Sequence, residues 1–125
     1  RKKVNEVKQS SSEKTYTIRF RAEGLVDIEA AEKSILSLDG QVIDQETPQR
    51  VSHRRAAKIR RRKITSIDNV RFEGDEVEIT MRCEAGTYIK ELVHSDEGRT
   101  TPSVQSVLGT DCEVIWLDVL EIHSK

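Results

Sequence analysis

Apolar and polar residues alternate cleanly over Tyr16, Ile18 and Phe20, with Thr17, Arg19 and Arg21 between them, and again over Val77, Ile79, Met81 and Cys83. A period of two sends every second side chain to the same side of a sheet, so both stretches predict half-buried strands. Asp27, a residue type that caps helices, precedes Ile28, Ala31, Ile35 and Leu38 at 3.6-residue spacing, and Gly40 is a natural stop. Residues 41–45 read as a short strand ended by Thr47-Pro48. Residues 49–57 show no clear period and fit a loop or a short helix, and 59–70 lack clean alternation around Ile64 and Ile67. Glu73-Gly74-Asp75-Glu76 is a turn joining strands at 64–72 and 77–83 into a hairpin. After Gly86, one helical stripe holds Tyr88, Ile89, Leu92 and Val93. Following the loop Gly98-Arg99-Thr100-Thr101-Pro102, Pro102 is placed at the first turn of a helix carrying Val104, Val107 and Leu108 and closed by Gly109. Residues 114–122 form a largely apolar terminal strand. The order β-α-β-(basic segment)-β-β-α-α-β predicts an α+β domain, a mostly antiparallel mixed sheet with helices on one face.

The polar residues 1–13, ending in Ser10-Ser11-Ser12-Glu13, read as a lead-in or linker to a folded domain over 14–125. Charged residues make up 34% of the chain and hydrophobic ones 35%, so a modest core with a well-solvated surface is expected. The net charge of −1 conceals an asymmetry. Residues 51–63 hold seven Arg or Lys and no acid, whereas 64–125 hold five basic and thirteen acidic residues. A local basic stretch on a near-neutral chain is an electrostatic footprint for a polyanion. Its members are Arg54, Arg55, Lys58, Arg60, Arg61, Arg62 and Lys63, flanked by Arg50 and His53. The two cysteines, Cys83 and Cys112, lie in apolar contexts without metal-ligand spacing, which argues against a zinc site and for reduced core thiols in a cytoplasmic protein. No apolar run approaches the roughly 20 residues of a membrane span.

The segment Cys83-Glu84-Ala85-Gly86-Thr87-Tyr88-Ile89-Lys90 predicts a strand, a tight turn and a helix, with one cation at the junction. It resembles the Gly-Thr-Tyr-Ile-Arg/Lys motif of the pseudouridine synthases related to bacterial TruB. Three other segments follow that pattern in order. Lys14-Thr15-Tyr16 resembles a Lys-x-Tyr motif, Thr47-Pro48-Gln49-Arg50-Val51-Ser52-His53-Arg54-Arg55 with 58–64 resembles a basic segment of archaeal and eukaryotic members, and Val104-Gln105-Ser106-Val107-Leu108 lies where the superfamily places a pocket-lining helix. The string Lys90-Glu91-Leu92-Val93-His94-Ser95-Asp96-Glu97-Gly98-Arg99-Thr100-Thr101-Pro102-Ser103-Val104 is similar to the archaeal and eukaryotic tRNA pseudouridine synthase family Pus, type ten.

That resemblance implies an enzyme that isomerises uridine to pseudouridine in the TΨC arm of tRNA, with no cofactor and no metal. The glycosidic bond breaks, the uracil turns in place and is rejoined through carbon, and an aspartate acts on the ribose. Lys90 would pair with that aspartate, Tyr16 would stack on the uracil, Leu108 would line its pocket, and Gly86, Thr87 and Tyr88 would build the turn. The aspartate belongs to an Arg-Glu-Asp-type motif upstream of the tyrosine. Here the fifteen residues before Tyr16 contain no Asp, and Asp27, Asp39, Asp44 and Asp96 follow it. The chain therefore reads as the C-terminal part of a catalytic domain, inactive alone, whose partners are tRNA and the upstream remainder of the parent enzyme. Three alternatives stay open: a guide-RNA enzyme like dyskerin, against which the 98–104 stretch speaks; a non-catalytic RNA-binding module; and a structural domain whose basic run is only a solvated face.

Overall fold

A computed structural model describes residues 12–51 and 57–123. The lead-in over 1–11 and the segment holding His53, Arg54 and Arg55 lie outside the described residues. Strand β1 (Glu13–Ala22) runs antiparallel to both β4 (Glu76–Cys83) and β6 (Cys112–His123). Strand β3 (Ile59–Glu73) joins β4 on its other side, and β2 (Val42–Glu46) and the two-residue β5 (Thr100–Thr101) complete a six-stranded sheet in the order β5-β2-β3-β4-β1-β6. Every pairing is antiparallel. Helices α1 (Ile28–Leu36), α2 (Ile89–His94) and α3 (Val104–Leu108) share one core with one face of the sheet, as an α+β architecture with helices on one side requires.

The register shows why the alternating stretches fold this way. Tyr16 lies opposite Met81, Ile18 opposite Ile79 and Phe20 opposite Val77, so the apolar phases of β1 and β4 meet on the helix side. There Phe20, Ile18, Ile79 and Met81 are fully buried with Ile35, Leu92 and Val93 from the helices. The opposite phase places Arg19 against Glu78 and Arg21 against Glu76 on the outer face.

Three expectations shift. The strand expected to begin at residue 64 begins at Ile59, because β2 pairs with its basic first third (Val42 opposite Lys63, Glu46 opposite Ile59). Register shifts between Ile64 and Ser66 and between Asp68 and Arg71 bulge β3 and erase the period there. Pro102 lies outside α3: Ser103 is the cap, its side chain accepting from Ser106 N and its own N–H donating to Ser106 Oγ. Helix α1 ends at Leu36 with Ser37 as its cap, and Gly40, at φ +80°, turns the chain into β2 rather than closing the helix itself.

Candidate functional site

The turn between β4 and α2 is built on Gly86. Its φ is +84°, a region that disfavours any side chain, and a Cβ there would lie 3.1 Å from Arg62 Nη2 and 3.2 Å from Arg62 Nε. The glycine thus allows the Arg62 guanidinium to lie against the turn. Thr87 Oγ1 donates to Glu84 O at 2.6 Å, and Glu84 ties the turn to β3 by its N–H to Lys63 O and its carboxylate to Lys63 N.

Tyr88 occupies the cap position of α2, yet its side chain makes no capping bond. Gln45, on the buried phase of β2 and fully enclosed, instead holds the main chain of the cap residue itself. Its Oε1 accepts from Tyr88 N at 2.9 Å, while Nε2 donates to Tyr88 O at 2.9 Å and to Thr100 Oγ1 at 3.2 Å. A second tie comes from the 3-10 turn Gln49–Val51. Arg50 donates from Nε to Glu91 Oε2 at 2.7 Å and from Nη2 to Glu91 Oε1 at 3.3 Å, and its guanidinium lies 5.9 Å from the Tyr88 ring centroid. Glu91 is only 2% exposed. The Arg50 guanidinium is held further toward its charged form, chiefly by the Glu91 hydrogen bonds.

On the other side of α2, Lys90 and His94, one turn apart, line an open groove of about 750 Å³ against the first half of β6, from Cys112 to Leu117. Leu117 pairs with Ile18 and so lies on the helix side of the sheet; Val119, opposite Tyr16, lies on the same side. Tyr16 is half-buried on that face, opposite Val119, two residues beyond the Leu117 end of the groove lining, and burial raises its phenol above the usual tyrosine range, with a smaller contribution from Cys83. The groove has largely apolar walls with the Lys90 ammonium, the His94 imidazole and the Glu113 carboxylate among its lining, a setting that suits a flat ring carrying polar edges. Burial pushes the thiols of Cys83 and Cys112 up to about 12, so neither is a nucleophile at neutral pH.

Other expected site residues are distributed differently. Leu108 does not line the Lys90 groove; it lines a separate cavity of about 210 Å³ with Leu25, Val26 and Ala31 on the α1 side. The leucine that shares a cavity with Lys90 is Leu117, to which sequence reading gave no pocket role. Arg50, expected to contact a polyanion, is engaged with Glu91. The β3 cations divide by alternation. Arg60 opposite Gln45 and Arg62 opposite Ile43 face the helix side, whereas Arg61, opposite Asp44 with 3.7 Å between Nε and Oδ1, faces outward with Lys63. Arg60 Nη1 and Arg62 Nε are enclosed without a hydrogen-bond partner. Lys58 is exposed, its carbonyl accepting from Thr47 N. The aspartates that follow Tyr16 have local duties: Asp27 caps α1 through Ala30 N, Asp39 accepts from Ile67 N, and Asp96 accepts from Gln49 N.

The family described as Pus10, C-terminal, matches residues 1–123. The chain belongs to the Pus10 family. It is 41% identical over 119 residues to the protein named tRNA pseudouridine synthase Pus10 of Methanothrix thermoacetophila, covering 95% of this chain and 26% of that protein. It is 40% identical over 120 residues to the protein of the same name from Archaeoglobus fulgidus, covering 96% and 33%. The chain therefore spans about a quarter to a third of these curated relatives. Among solved structures it resembles a chain of a Cbf5-Nop10-Gar1 complex, with TM-score 0.73 and 25% identity over 90% of this chain and 31% of that one. It also shares its fold with a chain in an H/ACA RNP bound to a substrate RNA containing 2'-deoxyuridine, at TM-score 0.65 and 23% identity over 90% and 29%. Membership in the Pus10 family agrees with the resemblance carried by the Gly86–Lys90 and Lys90–Val104 strings.

Proposed function

We propose that this chain forms the C-terminal part of the catalytic domain of a tRNA pseudouridine synthase that acts on the TΨC arm. The observation that carries the reading is the Gly86-Thr87-Tyr88-Ile89-Lys90 turn, which puts Lys90 in the lining of a groove shared with Leu117, with Tyr16 on the same face of the sheet. In this reading the uracil lies against Tyr16 once it has left the base stack. Lys90 stays charged beside an aspartate contributed from outside these residues and keeps that carboxylate ionised and oriented. The N1–C1′ bond of the uridine breaks, a C5–C1′ bond forms, C5 loses its proton to solvent and N1 gains one. That balance needs no oxidant or reductant.

Arg60 and Arg62 lie on the β3 phase opposite Gln45 and Ile43, and each has one guanidinium nitrogen enclosed while part of the half-buried side chain reaches solvent. They contact RNA phosphates, with His53, Arg54, Arg55 and Lys58 extending the same basic stretch. The test is tritium release from tRNA labelled at uracil C5, using a full-length Pus10-family protein that carries this sequence and, separately, the 125-residue chain. Release by the full-length protein and none by the chain alone supports the reading; release by the chain alone overturns the assignment of the aspartate to another segment.

A further inference from the structure

Helix α2 is six residues long, too short to hold its own orientation by propensity. Ile89, Leu92 and Val93 seat one face of it in the core, and one contiguous piece of chain ties its polar side. Gln45 at the end of β2 binds both main-chain groups of Tyr88 at the helix start. Arg50, five residues later, holds Glu91 in a two-point ion pair and lies over the Tyr88 ring. Gln49 N–H donates to Asp96 Oδ2 at 3.0 Å just past the helix end, where Ser95, Asp96 and Glu97 all have positive φ (76°, 50° and 57°). Three successive non-glycine residues in that region persist only where surrounding contacts over-determine them. Residues 45–50 therefore grip α2 at its start, middle and end, and lead directly into the basic stretch over 51–63.

Neighbouring residues on a helix point about 100° apart. Fixing the direction of Glu91 towards Arg50 therefore fixes that of Lys90 towards the groove. We infer that Gln45, Arg50 and Glu91 are positioning residues: they lock the rotation of α2 and so hold Lys90 in the direction in which it meets its carboxylate. The inference rests on the functional reading above. None of the three acts on the reacting atoms; each acts through Lys90.

The experiment uses the full-length protein with the paired substitution Arg50→Met and Glu91→Leu, which leaves no uncompensated buried charge. Three quantities are compared with wild type: tRNA Kd, the single-turnover rate of pseudouridine formation, and amide hydrogen exchange of α2. The lock predicts a Kd within about twofold, a rate lower by about tenfold or more, as a displaced catalytic group requires, and faster exchange over 89–95. The charge-reversed pair Arg50→Glu with Glu91→Arg restores part of the rate. A folded Arg50→Met/Glu91→Leu protein with the wild-type rate, or one whose rate loss is matched by its loss of binding, overturns the inference. If the wild-type protein makes no pseudouridine, the functional reading falls instead. The lock then stands or falls on exchange alone, with unchanged exchange in the variant overturning it.

Discussion

An arginine network and a single arginine–carboxylate pair lie on opposite sides of the same sheet. On the outer face, Arg19 reaches Glu73, Glu76 at 2.6 Å and Glu78 at 3.0 Å, and Arg21 and Arg71 extend the network. On the helix side, Arg50 meets one carboxylate, Glu91. The outer network has more partners, but none of its acids is enclosed: Glu73 is largely in solvent and Glu76 and Glu78 are partly so, which leaves water and salt able to compete and keeps the worth of each contact small. The inner pair is single but encloses a carboxylate that has given up its hydration, so removing one member leaves the other stranded. The number of ion pairs is thus a poor guide to their consequence; the burial of the acid, and what stands next to it in the chain, decides. Next to Glu91 stands Lys90.

The contrast is broken most directly by deleting each arginine singly and following denaturant unfolding. Arg50→Met costs about 3 kcal/mol, the low end for a buried pair because half of the Arg50 side chain is in solvent. Arg19→Met costs less, and the difference between it and wild type shrinks further in high salt. Equal losses would show that burial is not what separates the network from the pair. Gln45→Leu sharpens the inner side: it keeps the volume and strands the Tyr88 N–H, while Tyr88 O keeps its bond from Leu92 N, for a loss of about 1–3 kcal/mol in the same experiment.

The β3 cations extend the contrast to RNA. For the full-length protein, the slope of log binding constant against log salt drops by roughly 0.7–0.9 for each phosphate contact removed. Arg60→Gln and Arg62→Gln each show that drop, whereas Arg61→Gln does not; the reverse order would place the RNA on the outer face. The smallest effect concerns pH. The thiols of Cys83 and Cys112 are raised from an ordinary value of 9.0 to about 12 in the fold. Below pH 9 they are protonated in both states and their contribution is fully present. As pH climbs from 9 towards 12 the unfolded chain gains thiolate that the fold refuses, so stability falls. Thermal melts between pH 8 and 11 show a falling midpoint, and Cys83→Ala with Cys112→Ala flattens that fall.

Much of this was legible in the chain. Strands β1 and β4 were plain because each has one buried and one solvated phase. The Gly86 turn and its family were plain because eight consecutive residues carry the pattern. Strand β3 was cut short because two bulges break its period, and β5 was invisible because two residues carry no period. Leu108 and Leu117 are both packed leucines; only the fold shows which one shares a groove with Lys90. Glu91 drew no reading of its own because no period or motif marks an acid there as buried, and Arg50 was assigned to RNA because it borders a basic run. One signal was available: Gln45 is a polar residue on the same phase as Ile43, and a buried amide must find partners.

The most direct test of the central claim is tritium release from uracil-labelled tRNA by the full-length protein with Lys90 intact and with Lys90→Ala, at matched tRNA occupancy. The account predicts release by wild type and a loss of at least about 10²–10³ in single-turnover rate for Lys90→Ala, the scale of removing one preorganised electrostatic partner, with tRNA affinity nearly unchanged. A Lys90→Ala protein that releases tritium at the wild-type rate would contradict it.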